Sequence, residues 1–136
     1  AANALHIAND LHYGCATDRK GLRVQALTAN QAILSCLAND LGYAEVFASQ
    51  LAVQAESEDL LIVLSGSGNS ANIIRVLEQA RSMMVTSCAI VGYAGGKCYD
   101  LADIIVHAKI DDMQIAEDVQ LIIGHMLMQW LKVTKE

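Results

Sequence analysis

The chain has 136 residues, a formal net charge of −6, 54% hydrophobic and 18% charged residues, and no proline. That length fits one domain with a real core, and the acidic balance excludes general nucleic-acid binding, which rests on clustered Lys and Arg. The apolar stretches fall short of the roughly 18 to 20 residues of a membrane span, and four cysteines without a CxxC pair are expected to be reduced thiols of a cytoplasmic protein.

Residues 1–12 place Leu5, Ile7, Ala8 and Leu11 at helical spacing, with Gly14 as the stop. The first residues lack the basic region and cleavage site of a secretory signal and read like the middle of a helix, so the chain is expected to begin inside a domain. After the polar loop 17–21, Leu22-Arg23-Val24-Gln25-Ala26-Leu27 alternates as a strand does. Thr28 or Asn30 can cap the next helix, which carries Ile33, Leu34 and Leu37 and stops near Asn39-Asp40. Gly42 then opens a helix with the stripe Val46, Phe47, Leu51 and Val53, running toward Glu56.

Leu60-Leu61-Ile62-Val63-Leu64 is a continuous apolar run, the mark of a central parallel strand covered on both faces. A helix follows over 71–81, then a buried strand over 88–91, a glycine-rich loop over 92–97 and a short strand over 104–107. The last helix, about Met113 to Val133, is apolar on nearly every side, which predicts burial all round and a subunit interface. Strands alternating with helices predict a three-layer α/β/α fold around a parallel sheet.

Between the central strand and its helix lies Ser65-Gly66-Ser67-Gly68-Asn69-Ser70. A helix N-terminus supplies unpaired N–H groups and partial positive charge, glycines let the backbone approach an anion, and Ser65, Ser67 and Ser70 can donate hydrogen bonds. No Lys follows as in a Walker loop, and the spacing misses GxGxxG, so a phosphate monoester suits it better than a nucleotide. The competing reading is an ordinary strand-to-helix turn whose serines cap the helix.

His6 and Asp10 lie i, i+4 on the first helix, and Glu117 and His125 lie eight apart on the last. Two imidazoles and two carboxylates make either an acid/base site or the ligand set of a divalent metal such as zinc. Each also has a plainer reading, as a core histidine or a solvated carboxylate. For His12 and His107 the plainer reading dominates. Asn39 and Asp40, at a helix end, are explicable by capping.

The run Leu60 to Asn72 resembles the signature of the sugar isomerase (SIS) domain, and the chain resembles in particular the phosphoheptose isomerase family. Ala4-Leu5-His6-Ile7-Ala8 is similar to that family's AxHFA helix, Ala38 to Tyr43 to its ANDxGY segment, and Ile115 to Val119 with His125 to its closing helix. The resemblance implies about five parallel strands in flavodoxin-like order and a homotetramer with active sites where subunits meet. It implies a single SIS domain over residues 1–136, N-terminally incomplete, since the family's first helix, first strand and GNGGS loop lie ahead of Ala1.

The function implied is conversion of sedoheptulose 7-phosphate to D-glycero-D-manno-heptose 7-phosphate, toward heptose precursors of bacterial surface polysaccharides. Ser65, Gly66, Ser67 and Ser70 would hold the phosphate, with Gly66 where the family often has threonine, and Asn39 and Asp40 would contact substrate. His6, Asp10, Glu117 and His125 would line the reacting carbons, where some members hold zinc. Catalysis would fall to His125 and a carboxylate, Asp10 or Glu117. Asp10 stands for the family's usual glutamate and Glu117 for its usual glutamine. The alternative is a non-catalytic SIS module that binds a sugar phosphate or docks a partner.

Overall fold

The computed structural model describes residues 1–134. The helices are α1 (Ala2–Asn9), α2 (Gln31–Asp40), α3 (Ala48–Gln54), α4 (Ala71–Ser82), α5 (Cys98–Leu101) and α6 (Met113–Val133). The strands are β1 (Leu60–Ser65), β2 (Thr86–Val91) and β3 (Ile104–His107), all parallel and in sequential order.

Alternation along the strands sends Leu61, Val63, Ala89 and Val91 to one face, where they pack with Leu51 of α3, Val76, Leu77 and Ala80 of α4, and Cys98. The opposite face of β2 is covered by α6, against which α1 packs. Helix layers therefore flank the sheet on both sides. Side-chain caps fix two helix starts: Asn30 accepts from the Ile33 amide at 3.1 Å, and Asp112 accepts from the Ile115 amide at 3.0 Å.

Several expectations need correction. Three strands are present among the described residues, not about five, so the strand reversal of a flavodoxin-like order does not occur within them. Residues 22–27 are not a strand. They are tied at their ends, where the Leu22 amide donates to Leu11 and the buried Gln50 carboxamide donates to Leu27. Between this segment and the outer edge of β1 lies a cavity of about 860 Å³, so the alternating run has no strand backbone beside it.

The helix expected from Gly42 to Glu56 breaks in two. Gly42 takes a left-handed φ of 93°, Tyr43–Glu45 wind as a 3-10 turn, and α3 starts afresh at Ala48. The restart shifts the helical phase, so Val46 is fully buried while Val53 is exposed. The first helix changes winding at Asp10: Asp10–Gly14 form a π-turn in which the Cys15 amide donates to the Asp10 carbonyl. Finally, α6 is not buried all round. Ile115, Ile122, Met126, Trp130 and Val133 stand exposed, because among the described residues no element packs on that stripe.

Candidate phosphate loop and His/Asp cluster

The serine loop leaves the carboxyl end of β1, the edge where open α/β sheets bind ligands. Ser70 is the N-cap residue of α4, yet its hydroxyl makes no capping hydrogen bond. Ser65 Oγ accepts from the Gly68 amide and Ser67 Oγ from the Asn69 amide, so both hydroxyl protons stay free to donate. The capping explanation of these serines therefore fails; the Ile73 and Ile74 amides donate to the Ser70 carbonyl, which leaves the Ala71 and Asn72 amides at the start of α4 without a backbone partner. Gly66 lies under Met113, where a β-carbon would stand 2.3 Å from the sulfur. A larger residue here would require the Met113 side chain to shift.

Midway along α6, three side chains meet. His6 Nε2 and His125 Nε2 are 3.0 Å apart, and Asp10 Oδ2 lies 3.5 Å from each. The spacing follows from helix packing. Gly124 sits directly against Ile7, with room for no β-carbon, so α1 and α6 approach closely and the next residues, His6 and His125, come together. Asp10 Oδ2 is buried and lacks a hydrogen-bond partner among the described residues. A buried carboxylate oxygen without a proton donor is costly unless something positive faces it.

Two imidazole nitrogens and one carboxylate oxygen, all within 4.8 Å of one another, form an arrangement that can hold a metal ion. The donors suit a divalent transition metal. Nitrogens sharing a tetrahedral zinc at ~2.05 Å stand roughly 3.3 Å apart, close to the spacing seen.

The other candidates lie elsewhere. Glu117 is exposed and outside the cluster, because eight helical residues rise about 12 Å. Its carbonyl accepts from Asn3, and it lines the 860 Å³ cavity together with Gly66 and Gln120. Asn39 and Asp40 are exposed at the end of α2. Asn39 Nδ2 donates to Asp40 Oδ1 at 2.7 Å, and the Cys36 thiol approaches Asp40 Oδ2 at 3.6 Å. Neither side chain caps backbone, and a carboxylate at the negative end of a helix is electrostatically unfavourable. His107 bonds the Tyr93 carbonyl through Nε2, a structural role.

Two features escaped the sequence reading. One is the π-turn starting at Asp10, a winding that is rare and recurs at functional sites. The other is the bond from the Lys97 amide to the Asn69 carboxamide. The Gly95-Gly96-Lys97 turn after β2 was the available signal.

A parallel sheet flanked by helices, whose first strand runs into a serine- and glycine-rich loop, defines an α/β domain, and the chain belongs to the SIS domain family, whose model matches residues 1–92. Curated relatives include phosphoheptose isomerases. That of Helicobacter pylori (strain P12) is 34% identical over 127 residues, covering 93% of this chain and 66% of the relative. That of Aliarcobacter butzleri is 36% identical over 129 residues, covering 95% and 68%. The chain thus spans about two thirds of the length of the curated relatives it matches. A solved phosphoheptose isomerase from Francisella tularensis superposes with a TM-score of 0.92 at 24% identity, covering 98% of this chain and 73% of that one. One from Neisseria gonorrhoeae gives 0.89 at 24%, covering 98% and 71%. These likenesses establish the fold.

Proposed function

We propose that the chain carries the ketose–aldose isomerase activity of phosphoheptose isomerases, converting sedoheptulose 7-phosphate to D-glycero-D-manno-heptose 7-phosphate for surface heptose synthesis. The observation that carries this reading is the convergence of His6, Asp10 and His125. A scaffold or sensor has no need to hold two imidazoles against a carboxylate whose buried Oδ2 accepts no hydrogen bond.

The reaction moves a carbonyl from C2 to C1 through an enediol. A base takes the C1 proton while an acid protonates the C2 oxygen; the proton then returns to C2 as the C1 hydroxyl gives up its own. Asp10 Oδ2, which accepts no other hydrogen bond, is suited to the carbon proton, and His125 Nε2 to the oxygens. Glu117 is the second carboxylate available as base. Ser65, Ser67 and Ser70 would donate to the phosphate, with the Gly66 amide beside them, and Asn39 and Asp40 would bind sugar hydroxyls. His6, Asp10 and His125 would hold zinc, with Glu117 a fourth ligand only by way of another copy. These would be alternative uses of the same atoms: with zinc held there, Asp10 and His125 would serve as ligands, the carboxylate base would fall to Glu117, and the metal would supply a Lewis acid for the carbonyl oxygen.

A homo-oligomer, a tetramer by the family resemblance, is part of this reading, and one distance supports it. Met113 touches the phosphate loop, and His125 lies twelve residues on, about 18 Å along α6. That is farther than one seven-carbon chain reaches. The exposed stripe on α6 supplies the surface on which a second copy would bring its cluster to this loop. The test is turnover of sedoheptulose 7-phosphate by the purified protein, with and without zinc. Aldose formation that disappears in His125→Ala supports the isomerase; phosphosugar binding without product would move the assignment to a non-catalytic phosphosugar module.

A further inference from the structure

The serine loop does not stand alone. Its backbone presses on the Gly95-Gly96-Lys97 turn: a β-carbon at Gly68 would lie 1.9 Å from the Gly95 carbonyl oxygen, and one at Gly96 would lie 2.5 Å from that of Ser67. Gly68, Gly95 and Gly96 all have left-handed φ, at 66°, 84° and 55°. Two backbones this close are held by three hydrogen bonds. The Gly92 amide donates to Gly66 at 2.8 Å, the Cys98 amide to Gly68 at 3.0 Å, and the Lys97 amide to Asn69 Oδ1 at 3.0 Å.

The third bond differs in kind, because it runs through a side chain. Asn69 is the one side chain among the described residues whose hydrogen bonds join the two loops. While Oδ1 accepts from Lys97, Nδ2 donates back to the Ser67 carbonyl at 3.2 Å. That second bond decides where the Ser67–Gly68 peptide points. A loop that binds an anion must turn amides toward it and carbonyl oxygens away, and a glycine such as Gly68 lets its peptide plane rotate at little cost.

We propose that Asn69 is a positioning residue of the phosphate loop: its carboxamide anchors the loop to the Gly95–Lys97 turn and keeps the Ser67 carbonyl turned away from the bound phosphate. Asn69 touches no reacting carbon in this scheme. The inference rests on the reading of the serine loop as the phosphate site.

Asn69→Ala in the whole protein tests it, with inorganic phosphate and sedoheptulose 7-phosphate as titrants in calorimetry. Affinity for both should fall about tenfold, the scale of one hydrogen bond to a charged group. KM should rise by a similar factor with kcat little changed. Hydrogen exchange at the Lys97 amide should quicken, and the thermal midpoint should hold, since Asn69 is exposed. Unchanged affinity in Asn69→Ala, with normal binding by the parent protein, overturns this inference alone. A parent protein that binds neither titrant overturns the phosphate-loop reading and this inference with it. A loss of affinity matched by a fall in thermal midpoint assigns Asn69 to fold stability and overturns it also.

Discussion

Ile7 packs directly onto Gly124: a β-carbon on that glycine would lie 2.6 Å from Ile7 Cγ1 and 2.9 Å from Cδ1. The contact sets the distance between α1 and α6, and with it the 3.0 Å approach of His6 to His125. Gly124→Ala should therefore force the helices apart, costing about 1 to 3 kcal/mol as an overpacking substitution. Urea unfolding reads the stability and a zinc titration reads the cluster. Ile7→Ala should relieve the clash in the double variant, and unaltered zinc affinity in Gly124→Ala would show that the packing does not set the cluster.

Zinc should raise the unfolding midpoint of the parent protein. Free metal at about 100 times its dissociation constant adds roughly 2.7 kcal/mol. His125→Ala and Asp10→Asn should lose most of that gain. Differential scanning calorimetry with and without zinc decides the matter, and equal gains in all three proteins would place the metal elsewhere.

Replacing Ser67 or Ser70 with alanine should weaken phosphorylated ligands by about 1 to 3 kcal/mol, the worth of a hydrogen bond to a charged group. Affinity for the unphosphorylated sugar should not move. Calorimetry on the matched pair of ligands reads both numbers, and an equal loss for both would take the hydroxyls off the phosphate.

Asp103 accepts from the Ser87 hydroxyl at 2.7 Å and from the Ser87 amide at 2.8 Å, and these bonds hold its carboxyl below the usual aspartate range. A carboxyl whose pKa is lowered on folding stabilises the fold above its unfolded pKa, and the contribution is lost as pH falls through the folded value. Parent protein and Asp103→Asn should thus differ in thermal midpoint near neutrality and converge as pH drops well below about 4. A constant gap across that window would sink the linkage.

Cys36 is exposed, whereas burial pushes the Cys88 and Cys98 thiols up and Cys15 is enclosed. Iodoacetamide should label Cys36 first. Its sulfur lies 3.6 Å from Asp40, so a sugar phosphate contacting Asn39 and Asp40 should slow that labelling. Mass spectrometry of the labelled peptide gives the rate, and no protection at saturating ligand would remove this pair from the substrate site.

Much of this was legible in residue order. The uninterrupted Leu60–Leu64 run was legible as a strand but its place was not: among the described residues β1 is an edge strand with Leu60, Ile62 and Leu64 lining the cavity, where the apolar run predicts a central strand covered on both faces. Asn30 announced a helix start through its own side-chain chemistry. The i, i+4 spacing of His6 and Asp10 put them on one face before any fold was known. What could not be read depends on neighbours distant in sequence. Alternation in Leu22–Leu27 specifies an extended chain with two faces, but a ladder also needs an adjacent backbone. The phase break at Val46 hides inside an apolar pattern that suits one continuous helix. That His6 and Asp10 meet His125, and Glu117 does not, follows from Ile7 seating on Gly124, and no spacing rule joins residues so far apart.

The outer edge of β1 has a consequence for handling the chain. Among the described residues β1 pairs only with β2, and its other edge faces the cavity beside residues 22–28. Leu60–Ser65 carries no charge and no proline, and alternate residues along that edge offer their N–H and C=O to any extended segment that arrives. Such an edge favours edge-to-edge association at high concentration, so solution behaviour should be followed across a dilution series before any subunit count is assigned.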